Sequence, residues 1–195
     1  MYKNLADSIA TLLSANKIID INNQEIYSYG LELFLFKFTL YTIILIISLL
    51  TNSFLISLVF TASYMILRQY TGGYHCKSSE ACMIISVLIY TLMLILYNAE
   101  FYSQNLLLIN LDFLSYLTII VKAPVENENK PLEKHEIKKY HILSLVTSTI
   151  MISFSVLLLL VNARELLFSI SYALTADAVL LLIPQRRKKN EEDNS

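Results

Sequence analysis

Nearly all of the reactive chemistry in this chain lies in one stretch, residues 68–82, which reads Arg-Gln-Tyr-Thr-Gly-Gly-Tyr-His-Cys-Lys-Ser-Ser-Glu-Ala-Cys. It holds both cysteines (Cys76 and Cys82), one of the three histidines (His75) and two of the three glycines (Gly72 and Gly73). A cysteine attacks as its thiolate, and near neutral pH it reaches that state beside a base or in a positive potential. His75 is the candidate base, seven residues before Cys82. Were the interval helical, seven steps of about 100° would put both side chains on one face, but roughly 10 Å apart along the axis, too far for a hydrogen bond. The Gly-Gly pair offers another route, a bend that folds His75 back toward the start of the next apolar segment. Cys82 would then sit in the first turn of a helix, where unpaired N–H groups and the positive end of the macrodipole favour a thiolate and later an oxyanion. Cys76 lies in the loop beside the histidine with no helix terminus to activate it, so Cys82 is the expected nucleophile.

Other readings of these residues stay open at this point. Cys82 could be a small packing residue at the start of a helix, and His75 a solvated side chain at an interface. His75, Cys76 and Cys82 are zinc-ligand types, but Cys-x5-Cys is not a zinc-knuckle spacing and no fourth ligand follows. No metal and no cofactor is therefore expected, and the chain lacks a glycine-rich phosphate cradle.

The elements that must position this stretch are apolar. Over 195 residues the chain is 55% hydrophobic, with no tryptophan and a mean hydropathy of +0.54, which marks an integral membrane protein rather than a soluble domain. A span needs about 20 mostly apolar residues. Six such runs are expected, at residues 29–50, 54–67, 81–97, 106–121, 140–161 and 166–183, the second and third of them short. Residues 1–26 place Leu5, Ile9, Leu12, Leu13 and Ile19 at helical spacing among charged and polar neighbours. That is an amphipathic helix, lying in the membrane surface or packed on the bundle. The expected fold is all-α: a polytopic membrane helix bundle of about six spans plus the N-terminal helix, as a single integral membrane domain over residues 1–195. Between the spans lie a lysine-rich polar loop at 122–139 and, at 184–195, a basic then acidic tail. Placing that tail in the cytoplasm puts the N-terminus, the 68–82 stretch and the 122–139 loop on the same side and leaves only Arg164 outside, as the positive-inside rule prefers. The protein is thus expected in the cell membrane with both termini cytoplasmic, and without a signal peptide.

Ionisable residues inside spans are costly and are functional candidates by default. Glu32 and Asp177 lie toward the cytoplasmic ends of the first and sixth spans, at a depth from which either could orient His75 or contact a substrate, whereas Asp112 lies nearer the outer end of the fourth. Lys37 can pair with Glu32 or snorkel. His135 and His141 flank the lysine-rich loop and are expected to be solvated.

The pattern Arg-x3-Gly-Gly-x-His-x6-Cys, at Arg68, Gly72, Gly73, His75 and Cys82, resembles that of the AgrB family of Gram-positive membrane peptidases. Further likeness lies in Tyr-Gly-Leu-Glu at 29–32, in Ala-Pro-Val-Glu-Asn-Glu-Asn-Lys-Pro-Leu at 123–132, and in the acidic Asp177 before Pro184. The run Arg-Arg-Lys-Lys at 186–189 departs from the family core. The resemblance implies that Cys82 is the nucleophile and His75 its general base, with Arg68 and Gly73 in support. It also implies that the enzyme cleaves a small AgrD-like precursor through an acyl-thioester and promotes its closure into a thiolactone or lactone signalling peptide for quorum sensing. Exchange of one thioester for another is nearly isoenergetic, so ring closure needs no ATP. The implied partners are that precursor and membrane lipid, with no nucleic acid, and the sequence is compatible with a single chain or a homo-oligomer. The rival classes are a transporter, with Glu32, Asp112 and Asp177 along a path, and a membrane scaffold without chemistry. The absence of an internal repeat and of a broken, glycine-rich helix pair counts against a transporter.

Overall fold

The computed structural model describes residues 2–73, 79–125 and 133–183, and these are helical almost throughout. Among the described residues there are seven helices, in chain order α1 (Tyr2–Ala15), α2 (Gln24–Leu50), α3 (Phe54–Thr71), α4 (Ser79–Asn98), α5 (Asn105–Lys122), α6 (Lys134–Leu160) and α7 (Arg164–Leu182). Five of them, α2, α4, α5, α6 and α7, are long and apolar enough to cross a membrane. The remaining member of the expected six, α3, has the length, but its last turns carry Arg68, Gln69, Tyr70 and Thr71, which lower its mean hydropathy.

Three boundaries differ from the expected ones. α3 runs on through Thr71, so Arg68 belongs to a helix rather than to the polar connection. α6 begins at Lys134, inside the segment expected as loop, because the Glu136 carboxylate accepts from the Glu133 N–H at 3.0 Å and satisfies a donor at the helix start. α2 starts at Gln24, and its 27 residues extend about 40 Å, more than the roughly 30 Å of a hydrocarbon core.

The chain forms two compact units. The first comprises α1, α2 and α4 as far as Tyr90. Here α1 doubles back along the N-terminal half of α2: Ala6 and Ala10, both fully buried, let the backbones approach, and Tyr2 meets Phe36 edge-on at 6.2 Å between ring centres. Ser28 donates to the Asp7 carboxylate, and the Gln24 amide to Thr11 Oγ1 at 3.0 Å. The amphipathic helix read from the sequence is thus packed against α2. Farther along, the Tyr2 hydroxyl reaches Met83 Sδ at 3.8 Å, and the buried Tyr90 hydroxyl donates to the Ile44 carbonyl at 3.5 Å. α2 buries only a narrow stripe there, Leu40, Ile44 and Ser48, and exposes Phe34, Phe38, Leu45, Ile46 and Leu49, as a helix facing lipid does.

The second unit comprises α3, α5, α6, α7 and the end of α4. α3, α5 and α6 all pack on α7, which is why 61% of its apolar stretch is buried, against 28% for α6 and 22% for α5. Small and hydroxyl-bearing residues make the close approach possible: Ser144, Ser148 and Ser155 line one face of α6, and Ser169, Ser171 and Ala173 are buried on α7. α5 and α7 are joined through the Asp112 carboxylate, which accepts from Ser171 Oγ at 3.0 Å, and through Ser115 and Thr175. The α6–α7 connection turns on Asn162 (φ 59°), just as Asn52 (φ 53°) ends α2, since asparagine tolerates the left-handed conformation.

Candidate functional site

Residues 74–78, and with them His75 and Cys76, lie outside the described residues, and the described parts of the 68–82 stretch are the two flanks of that segment. On its N-terminal side, α3 ends in the Gly-Gly pair. Gly72 (φ 68°) and Gly73 (φ 102°) both occupy the left-handed half of backbone space that L side chains rarely adopt. Space makes the same demand. A Cβ on Gly72 would strike the Val125 carbonyl, and one on Gly73 would strike the Arg68 guanidinium.

Arg68 organises this turn. From the last turn of α3 its Nη1 donates to the Gly72 carbonyl, a cationic cap on the helix C-terminus. The same nitrogen lies 3.6 Å from Asp177 Oδ1, which also accepts from the Thr71 hydroxyl at 3.1 Å. The Asp177 side chain is fully buried on α7, and Arg68 is 18% exposed. Asp177 Oδ2 is buried and has no hydrogen-bond partner among the described residues. A carboxylate 106 positions away in sequence therefore ties down the turn that leads, two residues later, to His75.

A second tie comes from the segment after α5. Val125 N–H donates to the Thr71 carbonyl at 2.9 Å, and Gly73 N–H to the Val125 carbonyl at 3.4 Å, forming an isolated parallel bridge across Gly72. The adjoining Ala123 carbonyl accepts from His141 Nδ1 at 2.7 Å. His141 is thus half-buried and bonded rather than solvated, because the buried carbonyl at the end of α5 needs a donor. His135 is exposed beside Glu133, as expected of a residue in solvent.

On the C-terminal side, α4 begins at Ser79, which puts Cys82 in its first turn as a free, half-exposed thiol. The next residue, Met83, is the one held by Tyr2 of α1.

Of the residues singled out from the sequence, Arg68, Gly73 and Asp177 come together in one cluster. Glu32 is half-buried on α2, and Lys37 is exposed on the same helix. Asp112 serves the α5–α7 contact. Thr71, Val125 and His141 join the cluster in roles the sequence did not assign to them. Thr71 adjoins the Gly-Gly pair and Val125 lies in the 123–132 stretch of family likeness, whereas His141 was expected in solvent. No group of three or more His, Cys, Asp or Glu side chains that could hold a metal occurs among the described residues.

Known proteins resemble most of the chain. The family described as AgrB, accessory gene regulator B, matches residues 6–182. AgrB-like protein 1 of Clostridium perfringens strain 13 is 28% identical over 176 residues, covering 88% of this chain and 92% of that protein. An AgrB-like protein of C. perfringens strain SM101 is 28% identical over 149 residues (71% and 68%). The accessory gene regulator protein B of Staphylococcus aureus strain MRSA252 is 24% identical over 150 residues (77% and 80%). No solved structure matches the chain. With the match running from the first helix to the end of the last, this helical membrane protein belongs to the accessory gene regulator B family.

Proposed function

We propose that the chain is a membrane-embedded cysteine peptidase that cleaves an AgrD-like precursor and promotes its cyclisation to a quorum-sensing peptide. The observation that carries this reading is what borders 74–78 along the chain. Before it, a Gly-Gly turn is held by Arg68, Asp177 and Val125, and after it a free thiol sits in the first turn of α4. A held turn shortly before His75 and a thiol at a helix start suit a cysteine–histidine pair.

In this mechanism His75 takes the Cys82 proton, and the thiolate attacks the precursor's scissile carbonyl to give a tetrahedral oxyanion near the α4 N-terminus. The C–N bond breaks, His75 returns the proton to the leaving amine, and an acyl-thioester remains on Cys82. A thiol of the precursor then attacks that thioester. The ring closes as a thiolactone, and the Cys82 thiol is regenerated without oxidant, water or ATP. Asp177 has the role of histidine orienter: its Oδ1 holds the turn and its Oδ2 is the acceptor left over. Charge segregation favours a cytoplasmic site.

Co-expression with the precursor, followed by mass spectrometry, tests the reading. Cys76→Ala is expected to cleave normally, Cys82→Ala not at all, and His75→Ala about two to four orders of magnitude more slowly. A precursor lacking its ring-forming thiol should strand an acyl group on Cys82, visible as a hydroxylamine-sensitive mass increase. Full cleavage by Cys82→Ala, or an adduct on Cys76, would sink the mechanism.

A further inference from the structure

The geometry points to His141 as a positioning residue for the peptidase chemistry, acting through the Ala123 carbonyl to keep the 123–125 segment paired with the Gly-Gly turn. This role rests on the reading of His75 and Cys82 as the catalytic pair. The chain of contacts is continuous and lies within one compact unit. α5 closes with the Ala123 N–H on the Ile119 carbonyl at 2.9 Å, after which the backbone swings to extended (ψ 146°). That swing takes the Ala123 carbonyl out of the helical ladder and leaves it on a residue only 6% exposed. A buried carbonyl without a donor is costly, and His141 on α6 supplies one at 2.7 Å.

Two residues after Ala123, Val125 makes both bonds of the bridge to Thr71 and Gly73. The Gly73–Val125 bond is the longer, at 3.4 Å, and is the contact most easily lost if the segment shifts. Gly73 is followed at one remove by His75, so loosening this bridge frees the backbone that presents the base.

Because a carbonyl only accepts, the proton is on His141 Nδ1. The neutral Nδ1–H tautomer and the imidazolium both satisfy the bond. It asks only for a donor at that place. Asparagine at position 141 can offer one, through a Nδ2 attached at the same distance from Cβ as the histidine Nδ1, and alanine cannot.

Three measurements on the full-length protein in detergent test the role. They are amide hydrogen exchange at Gly73 and Val125, the rate of precursor cleavage, and the melting temperature. His141→Ala is expected to speed exchange at both amides and to slow cleavage roughly two- to tenfold, the range of one neutral hydrogen bond, in a protein that stays folded with a melting temperature lowered by the unsatisfied Ala123 carbonyl, and His141→Asn is expected to recover that loss too. His141→Asn is expected to restore both exchange and cleavage. Wild-type exchange rates in His141→Ala would overturn the inference, as would failure of His141→Asn to restore them. If exchange responds but Cys82→Ala still cleaves the precursor, the catalytic-pair reading falls and the positioning role falls with it, while the histidine–carbonyl tie itself stands.

Discussion

The second unit buries two carboxylates, Asp112 on α5 and Asp177 on α7, and partners them in opposite ways. Asp177 has a cation, Arg68, and a hydroxyl, Thr71, both from the end of α3. Asp112 accepts from the Ser171 hydroxyl of α7, and no basic side chain pairs with it among the described residues. Burial is nearly equal in the two cases, so burial alone does not tell the two carboxylates apart. What separates them is the element each holds. Asp112 joins two regular helices, whereas Asp177 holds a left-handed Gly-Gly turn that runs into the residues expected to do chemistry.

The largest effect expected from this contrast is that of Asp177→Ala. It removes the carboxylate with which Arg68 pairs on α7, and losing one member of a buried pair costs about 3 kcal/mol or more. Processing of the precursor should fall below detection, while Cys82 remains free to react with a small thiol reagent. Normal processing by this variant would erase the distinction between the two carboxylates.

Gly73→Ala comes next, because its new methyl would occupy the place of the guanidinium and the backbone would be held at a φ of 102°. A cost of order 1–3 kcal/mol is expected. Since both changes displace Arg68, Gly73→Ala and Asp177→Ala should combine less than additively in a double-mutant cycle. Strict additivity would show that Gly73 and Asp177 do not act through one arginine.

Asp112→Asn should have the smallest effect. The amide keeps an acceptor for Ser171, so stability should change by less than about 1 kcal/mol, with precursor processing intact and with full additivity toward Asp177 changes. A loss of processing at constant melting temperature would move Asp112 into the functional class and revive a path through the membrane as a rival reading.

The two carboxylates also mark the limit of what the chain reveals before it is folded. The apolar runs and the two asparagine turns follow from hydropathy and from left-handed backbone preference, both local properties, and the helices overlie the runs to within a few residues except where polar turns extend α2, α3 and α6. The Gly-Gly pair is legible as a bend for the same reason. The identity of its supports is not. Asp177 stands out as an acid in an apolar run, yet its partnership with Thr71 spans 106 positions. Val125 and His141 carry no anomaly of composition at all. Their place comes from a backbone carbonyl that leaves α5 in an extended conformation; Pro124 announces that extension, but no local pattern announces which donor meets the carbonyl.

The helix at the centre of the second unit, α7, is also the last of the seven described helices in chain order, so α3, α5 and α6 are synthesised before the helix that buries them exists. Throughout that interval Arg68 lacks Asp177, and Asp112 lacks Ser171. The nascent protein must therefore carry a guanidinium and a carboxylate at or within the bilayer before Asp177 and Ser171 reach them. Emergence of α7 completes both contacts, which makes assembly of this unit a late event in biogenesis and ties formation of the candidate site to it.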